Sequence, residues 1–411
     1  MAAHAPCRFP HSAHFIRSSF IFLLQTSARP SVTLSSSRIR TTIRNMGSMT
    51  ETKKANVLIV GSGGVGTMAA YALEKGGKAS VTAVLRSNFS AVEKAGFSID
   101  SIDHGMIHGW RPTKTLNAIP NMTKENTLPP YDYILVTTKN IPDIPPSIAT
   151  LIAPAVTPAH TAIALLQNGL NIERPLSAAF PTNPIISGIS FIGATEGPPG
   201  TIKHDDHDVL VVGAFHHNPG VEQQERADAA AELLVDMYDA CEGVECMYRP
   251  DVLFWRWRKL LYNASYNSVA TILGMDTSRM RASEHVVDGL VRPVMGEICE
   301  VARAAAGVRL DGGMVEGMIL ADTYEAFFKP SMLQGFEKGN FIEFENIVGE
   351  PLREAERVGV ATPTLRVIYE LLKGLQWKIK EAKGLVKVPL TRDEKPGFKY
   401  SGVGRPRDVT G

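Results

Sequence analysis

The sequence has few of the features that would place it in a specialised class. Its 411 residues include only four cysteines, Cys7, Cys241, Cys246 and Cys299, with no Cys-x-x-Cys pair and no Cys/His ligand spacing. A disulfide scaffold is therefore not expected, and reduced thiols are the default for an intracellular chain. The formal net charge is only +1, so no basic excess favours nucleic-acid binding.

Long hydrophobic runs are also missing. The apolar run at 20–24 is far too short to span a bilayer, and no later stretch reaches about 18 apolar residues, so no membrane segment is expected. Hydrophobic residues make up 44% and charged residues 21% of the chain, which is typical of a soluble globular enzyme. The length predicts two domains rather than one.

The first 50 residues contain no Asp, Glu or Lys but six arginines, Arg8, Arg17, Arg29, Arg38, Arg40 and Arg44, and they are rich in Ser and Thr. This composition is typical of a mitochondrial transit peptide. The alternative is a disordered upstream extension, with the functional chain beginning at Met46 or Met49. We expect a mitochondrial location in the first case and a cytoplasmic one in the second.

A βαβ unit follows this extension. Residues 57–60 are apolar, residues 67–75 suit a helix, and residues 81–85 form a second apolar run. Between the first run and the helix lies a Gly-x-Gly-x-x-Gly turn, formed by Gly61, Ser62, Gly63, Gly64, Val65 and Gly66. In such a turn the glycines allow a tight bend and a close approach to a pyrophosphate, which binds at the helix N-terminus. The motif predicts dinucleotide binding.

The rest of the chain predicts an α/β fold with an N-terminal Rossmann domain and an all-α C-terminal domain. Further buried strands are predicted at 133–137, 161–166, 185–192 and 209–212, in a largely parallel sheet. Helical periodicity then dominates at 255–273, 286–306, 313–328, 340–358 and 364–382. The predicted units are residues 55–249, residues 250–388 and a tail at 389–411 that is an arm or disordered.

Residues 204–208, His-Asp-Asp-His-Asp, superficially suggest a metal site. They lie between a Gly/Pro-rich stretch and an apolar run, so a polar turn before a strand is the simpler interpretation. No metal is predicted.

The residues that follow the predicted strands indicate which nucleotide binds. Arg86, at the end of the second strand, occupies the place where an acidic residue would select NAD, whereas an arginine accommodates the 2′-phosphate of NADP. The alternative is an ordinary surface arginine. Lys139 and Asn168 follow the third and fourth strands, where ligands of open α/β sheets bind, although Asn168-Gly169 is also a common turn dipeptide.

One predicted helix carries a polar stripe. Lys259, Asn263 and Asn267 are four residues apart, so they share a helix face flanked by apolar and aromatic residues. Asparagine inside a helix costs roughly 0.5 kcal/mol relative to alanine, and a solvated face would more naturally carry Glu, Lys and Arg. We interpret the stripe as the lining of a cleft, with a wet helix face as the alternative. From its residue type alone, Glu343 is better explained as a helix N-terminal acid that the helix dipole favours.

Taken together, the glycine turn, Arg86, Lys139, the 167–169 turn, the Lys-x3-Asn-x3-Asn stripe and Ser331 twelve residues before Glu343 resemble the ketopantoate reductase (2-dehydropantoate 2-reductase) family, from about residue 55 to 385. The resemblance implies NADPH-dependent reduction of 2-dehydropantoate to (R)-pantoate, in pantothenate and coenzyme A synthesis. It implies that Lys259 and Glu343 are catalytic, that Asn263, Asn267, Ser331 and Asn168 hold substrate, and that Lys139 and Asn168 lie on the cofactor side.

The chemistry of this assignment is consistent. Reduction of a 2-oxo acid builds negative charge on the carbonyl oxygen, which a lysine ammonium with a modestly lowered pKa can stabilise and protonate. The chain is longer than short bacterial members, as expected of a fungal or other eukaryotic one. The alternatives are reduction of another 2-oxo acid and a non-catalytic NADP-binding regulator. The expected partner is a small 2-oxo acid, without nucleic acid or membrane, and the chain is a monomer or homodimer.

Overall fold

The protein is described here by a computed structural model that covers residues 53–122, 129–216, 220–283 and 285–388. The predicted transit peptide or extension at 1–50 and the predicted tail at 389–411 lie outside the described residues, and both stay predictions.

The strands of the described chain form two sheets. Their bounds are β1 Ala55–Val60, β2 Ala79–Val84, β3 Phe97–Ser101, β4 Gly105–Trp110, β5 Lys114–Leu116, β6 Tyr133–Val136, β7 Ala162–Leu165, β8 Ile185–Ser190, β9 Gly193–Glu196, β10 Thr201–Asp206, β11 Asp208–Ala214 and β12 Val244–Tyr248. The larger sheet has eight strands in the order β12-β11-β8-β7-β6-β1-β2-β5. Its pairs are parallel except for β8 with β11.

The larger sheet forms where the sequence has short runs of β-branched and aliphatic residues. Strands β6, β7 and β8 are buried along their whole length, as expected of parallel strands that are covered on both faces. The helices of this half are α1 Gly64–Lys75, α2 Phe89–Ala95, α3 Ile148–Ile152, α4 Arg174–Ala179 and α5 Val221–Tyr238. The strand order changes direction between β1 and β6, which places a crevice at the carboxyl ends of these strands.

The smaller sheet, in the order β4-β3-β10-β9, was not predicted. It packs on the start of α1, where a Cβ on Gly64 would stand 2.2 Å from the carbonyl oxygen of Ala194 in β9. The polar turn predicted at 204–208 is wrong. Residues up to Asp206 continue β10, with burial alternating along the strand, and β11 begins at Asp208. Because acidic and histidine side chains dominate this segment, no pattern in the sequence indicated that it forms a half-buried strand.

The chain from Val252 onward is helical. The helices are α6 Val252–Tyr262, α7 Ser268–Leu273, α8 Thr277–Ala282, α9 Arg292–Ala306, α10 Gly312–Ile319, α11 Ser331–Glu337, α12 Glu350–Val358 and α13 Pro363–Ala382. Three π-helical turns lie at Asn263–Asn267, Val287–Val291 and Glu345–Gly349. The first of them joins α6 and α7 into one continuous rod. The predicted fold class, α/β followed by all-α, is confirmed.

Two helix bounds differ from the prediction. The helix predicted at 313–328 ends at Ile319, because tertiary contacts hold the following residues. The carboxylate of Asp322 accepts a hydrogen bond from the Tyr262 hydroxyl at 2.8 Å, and its carbonyl oxygen accepts one from Arg281. The helix predicted from residue 340 begins only after Glu343.

The described part of the chain has neither a membrane-spanning helix nor a cluster of metal ligands. No helix there combines the length and the apolar character needed to cross a bilayer. Nor do three or more His, Cys, Asp or Glu side chains converge there in an arrangement that could hold a metal ion.

Candidate active site

The glycine turn connects β1 to α1 in a conformation that only glycine adopts easily. Gly61 has a φ of +106°, and a Cβ there would meet the Thr138 backbone nitrogen at 2.7 Å. A Cβ on Gly66 would meet the Gly61 carbonyl oxygen at 1.9 Å, whereas Gly63 has open space on its Cβ side. The tight bend, the close helix–strand packing and the room at Gly63 are what a pyrophosphate at a helix N-terminus requires. The first turn of α1 also carries no acidic residue.

The end of β2 lies beside this turn. Asn88 is buried and donates hydrogen bonds to the Ser62 carbonyl oxygen at 2.7 Å and to the Glu196 carboxylate at 2.8 Å. It therefore ties the glycine turn to both sheets. The Arg86 side chain is exposed just beyond the carboxyl end of β2.

Lys139 and Glu343 come from different halves of the chain and meet in the crevice. The Lys139 Nζ lies 2.7 Å from Glu343 Oε2, and the Asn140 backbone N–H donates to Glu343 Oε1 at 3.1 Å. Glu343 is only 5% exposed, whereas the Lys139 side chain is 49% exposed. The buried carboxylate is thus held by the segment that follows β6 and is paired with a lysine.

The Gln167–Gly169 turn follows β7 at the same edge of the sheet. The Gln167 side chain donates to the Thr138 carbonyl oxygen at 2.6 Å, which joins this turn to the segment beside the glycine turn. Gly169 has a φ of +108°, and a Cβ there would stand 2.4 Å from the Asn346 Cβ. Asn168 is consequently presented toward the helical half.

Lys259 lies on α6 and reaches back to the sheet. Its ammonium donates to the carbonyl oxygen of Ser190, the last residue of β8, and lies 5.4 Å from the centre of the Phe191 ring. Burial is the largest cause that lowers the pKa of Lys259 to about 7; the charges of Arg256 and Lys139 also lower it, and Glu343 opposes them. This amine can therefore lose and regain a proton near neutral pH.

The asparagine stripe and Ser331 also converge. Asn267 Nδ2 donates to Ser331 Oγ at 3.3 Å, and its Oδ1 accepts from the Met332 backbone N–H at 2.8 Å. Asn267 is 1% exposed, so it positions the start of α11. Asn263 and Asn267 bound the π-helical turn, a local geometry that is frequent at functional sites.

Three of the predicted residues, Asn168, Lys259 and Asn263, share one pocket at the junction of the two halves. It is lined by Gln167, Asn168, Gly169, Ile189, Arg256, Lys259, Leu260 and Asn263. The glycine turn, Lys139 and Asn168 follow the carboxyl ends of β1, β6 and β7, and the Lys259 ammonium reaches from α6 to Ser190 at the end of β8. A nucleotide on the turn and a small molecule in the pocket would thus be adjacent.

Sequence reasoning missed several residues of this site. Arg256 lines the pocket, Ser190 supplies the carbonyl oxygen beside Lys259, and Asn346 braces the 167–170 turn. Only Arg256 left a signal, because an arginine that is buried within an aromatic helical segment is stabilised by an acidic partner. The partner itself is distant in the sequence, so no local pattern could have named it.

A dinucleotide-binding sheet, a helical second half and a cleft lysine together define the class as a nucleotide-dependent oxidoreductase. Residues 57–217 match the family described as ketopantoate reductase PanE/ApbA, and residues 251–376 match its C-terminal region. The chain belongs to the ketopantoate reductase family, as the resemblance predicted.

Individual relatives support this family membership. An uncharacterized protein of Saccharomyces cerevisiae is 36% identical over 355 residues, covering 81% of this chain and 97% of the yeast protein. A 2-dehydropantoate 2-reductase of Nostoc sp. is 26% identical, covering 77% of this chain and 94% of that protein. The crystal structure of 2-dehydropantoate 2-reductase from Methylococcus capsulatus is similar with a TM-score of 0.65 and 30% identity, covering 79% and 97% of the two chains. The yeast relative agrees with the expected fungal or other eukaryotic origin.

Proposed function

We propose that this protein reduces 2-dehydropantoate to (R)-pantoate with NADPH, and that Lys259 is the general acid. The observation that carries the proposal is the position of the Lys259 amine. It lies between the two halves, with a pKa near 7, in a pocket shared with Asn168 and Asn263. The choice of 2-dehydropantoate as the substrate is supported by the relative from Nostoc, a 2-dehydropantoate 2-reductase that aligns with this protein over most of both chains.

The nucleotide is proposed to lie along the carboxyl ends of β1, β2 and β6. The backbone of residues 61–66 would hold the pyrophosphate, Arg86 the ribose 2′-phosphate, and Lys139 and Asn168 the nicotinamide side. A bidentate arginine–phosphate contact favours NADP over NAD. When bound, the reduced cofactor supplies the hydride.

Lys259 performs the proton transfer in this proposal. Its ammonium stabilises the negative charge that develops on the substrate carbonyl oxygen and donates a proton to that oxygen. Because its pKa is about 7, the amine is a stronger acid than a solvated lysine and is still largely protonated just below neutrality. Its hydrogen bond to Ser190 fixes the direction of donation.

The remaining polar residues are proposed to orient the substrate. Asn263 and Ser331 offer neutral hydrogen-bonding groups for a carboxylate or hydroxyl, and Asn267 holds Ser331 in place. Glu343 is the second catalytic or orienting group, and the charge of its carboxylate opposes further lowering of the Lys259 pKa. Residues 55–249 would form the nucleotide-binding unit and residues 250–388 the substrate-binding unit.

A second candidate is reduction of another 2-oxo acid. D-mandelate dehydrogenase, determined with NADH and anilino(oxo)acetate, shares the fold with a TM-score of 0.64 at 18% identity, so this architecture accommodates other substrates. A purely regulatory NADP-binding protein is disfavoured here, because a sensor has no need for a buried amine that titrates near neutral pH.

The test is a substrate panel assayed by loss of NADPH absorbance. Purified protein is offered 2-dehydropantoate, 2-oxoisovalerate, pyruvate and phenylglyoxylate at equal concentrations. We expect the highest kcat/KM with 2-dehydropantoate. A higher value with another 2-oxo acid would transfer the proposal to that substrate, and no turnover with any of them would reject it.

A further inference from the structure

We infer that the buried ion pair Glu173–Arg256 is a positioning device for this site, which fixes the Asn168 turn against α6 and sets how much positive charge faces Lys259. The inference rests on the proposed function. Neither residue contacts the reacting atoms, so both act through Asn168 and Lys259.

The anchoring role follows from the hydrogen bonds of Arg256. One guanidinium nitrogen, Nη1, donates to the carbonyl oxygens of Gln167 at 3.1 Å and Gly169 at 3.0 Å. These two carbonyls flank Asn168, so a single arginine of α6 holds both sides of the residue. From the opposite side, the Leu170 N–H donates to the Asn346 carbonyl oxygen at 2.8 Å. The turn is therefore clamped between two helical segments.

Most of the rest of the guanidinium is also engaged. Its Nε lies 2.9 Å from Glu173 Oε1 and 3.0 Å from Ser187 Oγ, and Nη2 also donates to Ser187. Ser187 in turn donates to Glu173 at 2.5 Å. Arg256 lines the pocket, but four of its five N–H groups are engaged by the protein itself, so its main role is to position other groups.

The electrostatic role follows from burial. Arg256 and Glu173 are 5% and 3% exposed, so water screens their charges little. Four charged groups act near the Lys259 amine: Arg256 from its own helix, Glu343 from the segment before α12, Lys139 from the segment after β6, and Glu173 through Arg256. Arg256 and Lys139 disfavour the ammonium and Glu343 favours it. Glu173 offsets Arg256.

The sign of the charge effect can be measured directly on Lys259. Glu173→Gln keeps a hydrogen-bonding group but leaves Arg256 unneutralised, so the titration midpoint of the Lys259 amine should fall by about one pH unit. Glu173→Gln/Arg256→Gln removes both charges, and the nearer one is positive, so the midpoint should rise by a similar amount. The readout is the pH dependence of Lys259 acylation, followed by peptide mass spectrometry.

The anchoring role needs a variant that changes no charge near Lys259. Arg256→Lys retains the positive charge but lacks the planar fork that reaches both carbonyl oxygens. We expect KM for the 2-oxo acid to rise about tenfold, as loss of charge-assisted hydrogen bonds implies, while the midpoint stays within about 0.3 units of the wild type.

Arg174→Lys is the matched control, because Arg174 pairs with Glu354 across the same interface at 2.6 Å but is absent from the pocket lining. It should change neither KM nor the midpoint. Circular dichroism identifies the variants that fold. The two charge variants are expected to shift the Lys259 midpoint in opposite directions, so either one alone tests the electrostatic role. An unchanged midpoint in a folded charge variant overturns the electrostatic role, and an unchanged KM in Arg256→Lys overturns the anchoring role.

The labelling experiment does not depend on the substrate. If no 2-oxo acid is reduced, the proposed function fails, but the acylation midpoints still show whether Glu173 and Arg256 control the Lys259 amine. If reduction occurs and the midpoints do not move, the inference fails alone.

Discussion

Replacing Lys259 with alanine tests the proposed chemistry most directly. The variant removes the only amine in the described pocket lining and leaves the Ser190 carbonyl oxygen without its partner. General acid catalysis contributes about 10²–10⁴-fold in rate, so we expect kcat to fall by at least two orders of magnitude. NADPH binding should be nearly unchanged, because the glycine turn and Arg86 lie on other elements.

The wild-type pH profile must agree with this assignment. With a pKa of about 7, about nine-tenths of the Lys259 amine carries its proton at pH 6 and about one-tenth at pH 8. A general acid is active in the protonated form, so kcat should fall close to tenfold over this interval. The residual activity of Lys259→Ala should not show this fall in kcat between pH 6 and pH 8.

The assay is steady-state NADPH oxidation across this pH range, with NADPH binding measured separately by fluorescence. Lys378→Ala is the matched control, because Lys378 is an exposed lysine of α13, and it should retain wild-type turnover. Addition of a small primary amine such as ethylamine should partly restore Lys259→Ala by occupying the vacated space. Turnover of Lys259→Ala within tenfold of the wild type, or wild-type activity that rises from pH 6 to pH 8, would refute the reasoning.

Three further predictions concern the surroundings of the site. Arg86→Ala should weaken NADPH binding far more than NADH binding, because only NADPH carries the 2′-phosphate; equal weakening in a titration would contradict the cofactor assignment. Gly169→Ala should lower the free energy of unfolding by about 3 kcal/mol and raise KM, since the turn has a positive φ and its new methyl group would collide with Asn346; an unchanged denaturation midpoint would contradict this. Burial raises the pKa of Asp208 from 3.8 to about 7, so the folded state keeps a proton that the unfolded chain loses, and stability declines from about pH 4 to pH 7. Asp208→Asn should therefore exceed the wild type by up to about 4 kcal/mol at pH 8, with the difference shrinking toward pH 4 in urea denaturation; a constant difference would contradict the shift.

The parts of the fold that local patterns determine could be predicted. Strands β1, β2, β6, β7 and β8 are short apolar runs followed by glycine, lysine or asparagine, and their predicted positions match the structure closely. The four-residue spacing of Lys259, Asn263 and Asn267 predicted one helix face, and the structure places Lys259 and Asn263 in one pocket. Such periodicities are visible without any tertiary information.

What the sequence could not show depends on contacts between distant residues. The smaller sheet needs β3 to pair with β10 about 100 residues later, and its polar strands have no marked hydrophobic run. The Lys139–Glu343 pair and the Glu173–Arg256 pair likewise join segments whose separation no motif records. Asn267 has the right type and spacing for a substrate contact, yet its side chain is used to hold α11.

The clamp on the Gln167–Gly169 turn has a consequence for how such proteins can be recombined. The strand that ends in this turn belongs to the nucleotide-binding half, but Arg256 and Asn346 of the helical half determine its shape. Exchanging one half for that of a distant relative would leave a loop whose supports no longer match. Functional chimaeras should therefore be obtained only when Arg256, Asn346 and the turn that they support are all taken from the same parent protein.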